Sequence, residues 1–540
     1  MNNLPLIKLE DFGIEFVKGR SVFTAARNIN FEVNAGEITG IVGESGSGKS
    51  VTCMSILKLH SKETKYSGKI LFNDNGKITE CLSSSNKTLR KLAGKSIAYI
   101  FQEPMTALNP VRTCGSQLLE NILIGGLKGK QAREKAISLL TEVQMPDPER
   151  IFRSYPHEIS GGQRQRVMIA MSISCDPVLL IADEPTTALD RLVQNDILTL
   201  ISNLSINRGM AVILISHDFE VIAKYTTKTI VMYKGSIAEQ GETVSIINNP
   251  QQDYTKALLA CRPSAVYEGK YLPVLKDFAD GATFTPQAWP VTEKKDDELL
   301  TLTRVYKSFK SGSKFFVAVD GISFEIKKGE TLGLIGESGS GKSTVAKMII
   351  RLEDISSGEI LYESTPVTKI KNYPRVAQMI FQDPYSSLNP SLTIGNTIGE
   401  VVELHQKISG EEKLNTVHSL LEKVGLKAED ALKYPNEFSG GQRQRIGIAR
   451  ALAAKPEFII CDESVSALDL SVQAQVLNLL KKLQAENNLT YLFITHDMNV
   501  LRYFADRIVV MKNGRVVEKG DTKRLTTNPE NDYTRLLLQN

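Results

Sequence analysis

Two eight-residue stretches, Gly43-Glu44-Ser45-Gly46-Ser47-Gly48-Lys49-Ser50 and Gly336-Glu337-Ser338-Gly339-Ser340-Gly341-Lys342-Ser343, fit the spacing G-x-x-x-x-G-K-[ST]. Glycines so spaced let backbone N–H groups close on phosphate oxygens, while the lysine reaches the outer phosphates and the last hydroxyl meets Mg2+. The chemistry is nucleotide binding. Each stretch follows a short apolar run (38–42; 332–335) and precedes a helical pattern opening at Val51 or Thr344 (51–59; 344–352). Strand, loop and helix N-terminus therefore converge on an anion.

Carboxylates, amides and histidines recur in step with these loops. The apolar runs 178–182 and 458–461 end in Asp183-Glu184 and Asp462-Glu463, the form of buried parallel strands with acids at their C-terminal edge. Asp183 and Asp462 suit a Mg2+ shell; Glu184 and Glu463 suit the water that attacks a γ-phosphate. Gln102 and Gln382 end short strands ahead of proline-braked loops (Pro104, Pro384) and can place an amide oxygen near Mg2+ or that water. His217 and His496 follow the apolar runs 211–215 and 490–494; a single histidine there is usually structural, but both stand at the edge where phosphates would lie. Ser160-Gly161-Gly162-Gln163-Arg164-Gln165-Arg166 and Ser439-Gly440-Gly441-Gln442-Arg443-Gln444-Arg445 each precede a helix and offer a second anion-facing N-terminus. A helix cap alone accounts for the serine and not for the matched heptad.

The register shows a duplication. Ser160 and Ser439, Glu184 and Glu463, His217 and His496 are each 279 residues apart, whereas the lysines are 293 and the glutamines 280 apart. The first half thus carries 13 extra residues, assigned to a surface loop within 77–93. Strand patterns at 7–17 and 26–33 lead to the first loop, and 299–326 repeats them. In these leaders Phe16 and Phe309 are candidates to stack on an adenine, with Phe23 and Phe316 competing and core packing the alternative for each. Residues 263–298 hold Pro263, Pro273, Pro286 and Pro290, with four Lys/Arg against seven Asp/Glu, and read as an irregular tether whose Trp289 packs on a domain surface. Both halves close on a shared motif, Asn249-Pro250 before Asp253-Tyr254-Thr255 and Asn528-Pro529 before Asp532-Tyr533-Thr534.

Composition adds exclusions. At 540 residues, 42% apolar and 23% charged, the chain is an ordinary globular one with room for several cores. Its net charge of +4 is too small to point to nucleic acid. The six cysteines form no C-x-x-C pair, which argues against a zinc ribbon or disulfide scaffold and fits a reducing cytoplasm. No secretory pattern opens the chain, and no apolar run reaches the 18 or so residues of a membrane helix, so work at a membrane would pass through partners.

With phosphate loop, glutamine loop, Ser-Gly-Gly-Gln, apolar-Asp-Glu strand and histidine in this order, each half resembles an ATP-binding cassette (ABC) ATPase. Leu-Asn-Pro at 108–110 and 388–390 and the Asn-Pro…Tyr-Thr endings resemble the dipeptide/oligopeptide importer subfamily, in the fused double-cassette layout of microcin C-type importers. Three departures stand out: Gln252-Asp253 and Asn531-Asp532 where the family has His-Pro, Ser464-Val465 where it has Pro-Thr, and Ala170-Met171 where Ala-Arg is common. The resemblance implies two tandem α/β P-loop NTPase domains, 1–262 and 299–540, each with a RecA-like core, an antiparallel β subdomain and an α-helical subdomain. It further implies that Ser50 shares a nucleotide with Ser439, and Ser343 with Ser160, in an intramolecular pseudo-dimer that binds ATP and Mg2+. The implied partners are two multi-span permease subunits and an extracytoplasmic solute-binding protein, with the chain peripheral on the cytoplasmic face of the inner membrane and no nucleic acid bound. Rival readings are a ribosome-associated double-cassette factor, disfavoured by the acidic, proline-broken tether, and an importer ATPase for nickel or sugar.

Overall fold

The computed structural model describes residues 4–539 apart from 20, 62, 75, 103–106, 188, 282–283, 291–293, 312–313, 384–386 and 467. Pro104 and Pro384 of the glutamine loops lie outside the described residues. The chain divides into two units: Met1–Leu189 with Val193–Ala260 and Leu275–Ala282, and Asp190–Leu192 with Cys261–Val274 and Thr283–Asn540.

In the first unit the described strands are β1 (Ile7–Lys18), β2 (Ser21–Val33), β3 (Ile38–Val42), β4 (Thr64–Asp74), β5 (Lys77–Glu80), β6 (Ile97–Ile100), β7 (Leu179–Asp183), β8 (Ala211–Ser216), β9 (Lys228–Tyr233) and β10 (Ser236–Glu242). Six of them form a sheet of order β10-β9-β3-β8-β7-β6, parallel except at the β10 edge. Every residue of β7 and β8 is buried, as continuous apolar runs covered on both faces require. Because β3, β6, β7 and β8 run the same way, their C-terminal ends lie at one edge, and the phosphate loop, Gln102, Asp183-Glu184 and His217 emerge there together. A second, antiparallel sheet has the order β2-β1-β4-β5.

The second unit repeats both sheets, in the orders β16-β17-β18-β13-β19-β20 and β12-β11-β14-β15. Its strands are β11 (Glu298–Ser311), β12 (Lys314–Lys327), β13 (Thr331–Ile335), β14 (Ser357–Tyr362), β15 (Thr365–Pro366), β16 (Ala377–Ile380), β17 (Phe458–Asp462), β18 (Thr490–Thr495), β19 (Arg507–Lys512) and β20 (Arg515–Asp521).

Helices fill the interval between glutamine loop and strand-end acids: Cys114–Ile124, Gly129–Glu142, Pro148–Arg153 and Gly161–Ser172 in the first unit, and Ile394–Gln406, Gly410–Lys423 and Gly440–Leu452 in the second. Thr113 and Thr393 cap the first helix of each set by accepting the Ser116 and Asn396 N–H groups. Leu118, Leu139 and Leu140 are buried between these helices, so truncating any one to alanine would cost about 2–5 kcal/mol.

One expectation is corrected. The extra residues within 77–93 are not a surface loop: Lys77–Glu80 is an edge strand paired with β4, and Asn86–Leu92 is a helix capped by Ser85, whose hydroxyl accepts the Thr88 N–H. Cys81 and Leu89 are buried, and Lys58 donates to the Leu82 carbonyl at 2.9 Å. The serine run that suggested a loop is a capping sequence. The proline-broken stretch after residue 262 is irregular apart from the 3-10 turns Ala265–Tyr267 and Leu275–Gly281, and parts of it are packed. Leu272 exchanges two hydrogen bonds with the Asn478 amide (2.9 and 2.8 Å), and Leu272 and Val274 join the second unit's core. Trp289 packs edge-on against Tyr503 (centroids 5.0 Å apart) and donates to its hydroxyl at 3.2 Å, the surface packing its sequence context suggested. Prolines break helices here without preventing apolar side chains from docking.

Candidate nucleotide sites

Each phosphate loop passes from a buried strand into a helix, Lys49–Ser55 or Lys342–Ile349, through a glycine in the left-handed region. Gly48 (φ 99) and Gly341 (φ 102) enter these helices where a Cβ would lie 2.8 Å from the Ala25 carbonyl oxygen and 2.6 Å from that of Ala318. Only glycine meets both demands. The buried Lys49 ammonium donates to the Gly43 and Glu44 carbonyls at 2.7 and 2.9 Å, and Lys342 to those of Gly336 and Glu337 at the same distances. Ser47 and Ser340 have buried hydroxyls with no protein partner, and nothing lies within 4 Å of a Cβ built on Gly46 or Gly339. The loops are therefore open, donor-rich cradles, with Ser45 and Ser338 between their glycines and Val51 and Thr344 third in the helices.

Ser50 and Ser343, second in those helices, donate to Asp183 at 2.8 Å and to Asp462 at 3.1 Å. These pairs are hard oxygen donors on a nearly buried carboxylate, and they fit a small divalent cation such as Mg2+. Burial raises the Asp183 carboxyl above its ordinary range, more than the hydrogen bonds from Tyr99 and Ser50 lower it. Asp462 is raised for the same first reason, against its bond from Ser343.

The neighbouring glutamates behave oppositely. Glu184 Oε2 accepts from Gln102 Nε2 (2.9 Å) and Thr187 Oγ1 (3.0 Å) and lies 3.4 Å from His217 Nδ1. Burial pushes this carboxyl up, but the His217 hydrogen bond and charge, then Lys49 and Thr187, outweigh it and bring it to about 2. Glu463 accepts from Gln382 Nε2 at 2.7 Å, lies 3.6 Å from His496 Nδ1 and is lowered too, its burial outweighed by His496 and Lys342. Both glutamates hold a positive φ (43 and 45), a strain of about 1–3 kcal/mol that aims the carboxylate off the strand end. Two adjacent acids with environments that separate their affinities for a proton are equipped for different tasks.

Ser160 and Ser439 are the N-caps of the helices Gly161–Ser172 and Gly440–Leu452, and each forms a capping box with Gln163 or Gln442. The box satisfies the serine and glutamine N–H groups; those of Gly161, Gly162, Gly440 and Gly441 have no acceptor within their own helix. A Cβ on Gly162 would lie 2.6 Å from Val193, and one on Gly441 2.2 Å from Val472, so these glycines also permit close helix packing. Phe16 and Phe309 stand cross-strand from Phe23 and Phe316. Phe16 meets His60 edge-on at 5.4 Å and Phe309 lies under Lys307, while Phe23 and Phe316 are the more exposed pair.

Four contributors escaped the motif reading. Tyr99 donates to Asp183 at 2.7 Å from the neighbouring strand, and Thr187 donates to Glu184. Tyr254 and Tyr533, from the duplicated closing motif, reach the Glu44 and Glu337 N–H groups. The repetition of Asp-Tyr-Thr was the available signal for the last two.

Residues 26–187 and 319–466 match the model of the ABC transporter family, and residues 238–281 that of the oligopeptide/dipeptide transporter C-terminal region. The chain is 42% identical over 551 residues to the peptidoglycan transport ATP-binding protein YejF of Agrobacterium fabrum, covering 99% of this chain and 96% of the relative. It is 41% identical to the glutathione import ATP-binding protein GsiA of Escherichia coli K12, covering 99% and 89% of the two chains, and equally to GsiA of Salmonella paratyphi A (100% and 90%).

Proposed function

The chain belongs to the ABC transporter family as a double ATP-binding cassette protein, and we propose that it hydrolyses ATP to drive import of peptides or peptide-like solutes such as glutathione. The observation that supports this reading best is that each unit carries a full set of groups at one sheet edge: an open phosphate loop with its lysine, a Ser–Asp oxygen pair, and a glutamate joined to a glutamine and a histidine.

In this reading Lys49 and Lys342 turn from their loop carbonyls towards the β- and γ-phosphates, helped by the loop N–H groups. Ser50 with Asp183, and Ser343 with Asp462, would hold Mg2+, which when bound neutralises phosphate charge. Glu184 and Glu463 are ionised at any physiological pH and accept the proton of an attacking water, oriented by Gln102 and His217 or by Gln382 and His496. Ser160 to Gln163 and Ser439 to Gln442 would offer their helix N-termini to a γ-phosphate, as the family resemblance implies. No helix among the described residues is long and apolar enough to cross a membrane. On the family resemblance, the work is assigned to the cytoplasmic face of the inner membrane, through two permease subunits fed by an external solute-binding protein.

Affinity purification of the tagged chain from its native membrane tests the reading. Two multi-span proteins should co-purify, and after reconstitution with the solute receptor, a dipeptide or glutathione should raise phosphate release severalfold. Recovery of ribosomal proteins instead, or a reconstituted ATPase indifferent to every peptide tried, refutes it.

A further inference from the structure

The closing motif of each half reaches into its own phosphate loop. Tyr254, in the helix Asp253–Ala260, accepts a hydrogen bond through its hydroxyl from the Glu44 N–H at 3.3 Å; Tyr533, in the helix Asp532–Gln539, accepts from the Glu337 N–H at 3.0 Å. Glu44 and Glu337 are the residues whose carbonyls receive the loop lysine at 2.9 Å. One residue of each loop is thus gripped on both sides, its N–H by the tyrosine and its C=O by the lysine.

The grip is built alike twice. Glu239 on β10 accepts the Gln251 and Gln252 N–H groups (2.8 and 3.2 Å), which ties the start of the tyrosine's helix to the sheet. Glu518 on β20 does the same for Glu530 and Asn531 (2.9 and 3.2 Å). The tyrosine rings are held at equivalent positions by different chemistry: Tyr254 lies on Tyr233 with centroids 4.0 Å apart, while the Lys512 ammonium lies 4.5 Å from the Tyr533 centroid. Burial pushes the Tyr533 phenol up to about 12, with the neighbouring Glu337 charge adding to the shift, so it remains a neutral hydroxyl at working pH. An ordinary helix end would not need to carry a hydroxyl to the second residue of a phosphate loop in both halves.

We propose that Tyr254 and Tyr533 are positioning residues for the nucleotide, holding the first turn of each phosphate loop in its binding shape when the lysine leaves its carbonyls for phosphate. The C-terminal extensions are then working parts of the nucleotide sites. The proposal rests on the reading of these loops as ATP sites.

The test uses the full chain with Tyr254→Phe, Tyr533→Phe and both together, which keep the rings and remove the acceptor. Equilibrium titration with a fluorescent ATP analogue and steady-state ATPase kinetics are measured beside the nucleotide-free melting temperature. Loss of one such bond should raise Kd and KM about two- to tenfold at the altered site while kcat stays within about twofold. Glu239→Gln and Glu518→Gln, which loosen the helix start, should move KM in the same direction. A merely structural role lowers the melting temperature and kcat together and leaves KM in place; that result, or an unchanged Kd in the double Phe protein, overturns the proposal. If the parental chain itself binds no ATP analogue, the functional reading falls as well.

Discussion

Glu184→Gln and Glu463→Gln probe the chemistry most directly. At Glu184 three partners converge on one oxygen, Gln102 at 2.9 Å, Thr187 at 3.0 Å and His217 at 3.4 Å, and an amide oxygen can still accept from them. The fold should therefore survive, but the charge and the base are gone. General-base catalysis contributes about 10²–10⁴-fold, so the double variant should release phosphate at least a hundredfold more slowly. Nucleotide affinity should stay within about threefold, because the lysine contacts that shape each loop do not involve the glutamate. There is a stability counterpart. The Glu184 carboxyl stands at about 2 against 4.5 for an unperturbed one, so ionisation contributes roughly 3 kcal/mol to the folded state. That contribution is complete above pH 4.5 and disappears as the pH falls towards 2. Glu184→Gln should lack it, giving a lower melting temperature at pH 7 and a shallower loss on acidification. Phosphate release, analogue binding and melting from pH 2 to 7 read all three quantities. Hydrolysis at the parental rate by the double variant, or loss of ATP binding along with hydrolysis, refutes the assignment.

Lys49→Ala or Lys342→Ala should weaken ATP binding at its own loop about ten- to hundredfold, the equivalent of one charged hydrogen bond of about 1.5–3 kcal/mol, by calorimetric titration. Gly341→Ala places a Cβ 2.6 Å from the Ala318 oxygen at φ 102, so the same titration should fall from two ATP equivalents to one. Lys481 is buried between the rings of Trp289 (4.7 Å) and Phe504 (4.3 Å), and burial lowers its ammonium to about 8, with Lys294 adding to and Asp506 opposing the shift. Its folded value lies below the ordinary 10.5, so the cost of burying the charge is full below pH 8 and is relieved as pH rises to 10.5, by roughly 3 kcal/mol. Lys481→Met should abolish that rise, followed through the fluorescence of Trp289, the chain's single tryptophan.

The phosphate loops were legible because backbone geometry dictates nearly every residue in them: φ at Gly48 and Gly341, close approach at Gly43 and Gly336, a lysine long enough to turn back on its own loop. The α/β architecture was legible for a similar reason, since fully buried strands such as β7 and β17 can be written only as apolar runs. What escaped notice depends on which strands and helices become neighbours. Tyr99 touches Asp183 only because β6 pairs with β7, with Tyr99 opposite Ile181, and no spacing along the chain encodes that. The segment 77–93 looked like a loop because serine serves turns and helix caps alike, and the partner that decides, Thr88, is three residues on. The same neighbours make the duplicated motifs unequal. Met379 pairs with Ile460 where Tyr99 pairs with Ile181, so Asp462 has no phenol donor and keeps Ser343 at 3.1 Å. Ser466 turns its hydroxyl to the Glu463 carbonyl, where Thr187 serves the Glu184 carboxylate. Two sites with identical motifs but different donors around both acids cannot hold their carboxylates at the same proton affinity. The single variants Glu184→Gln and Glu463→Gln should therefore leave unequal residual ATPase rates with different pH dependence, and equal halves would mean that the donors around the acids do not set turnover.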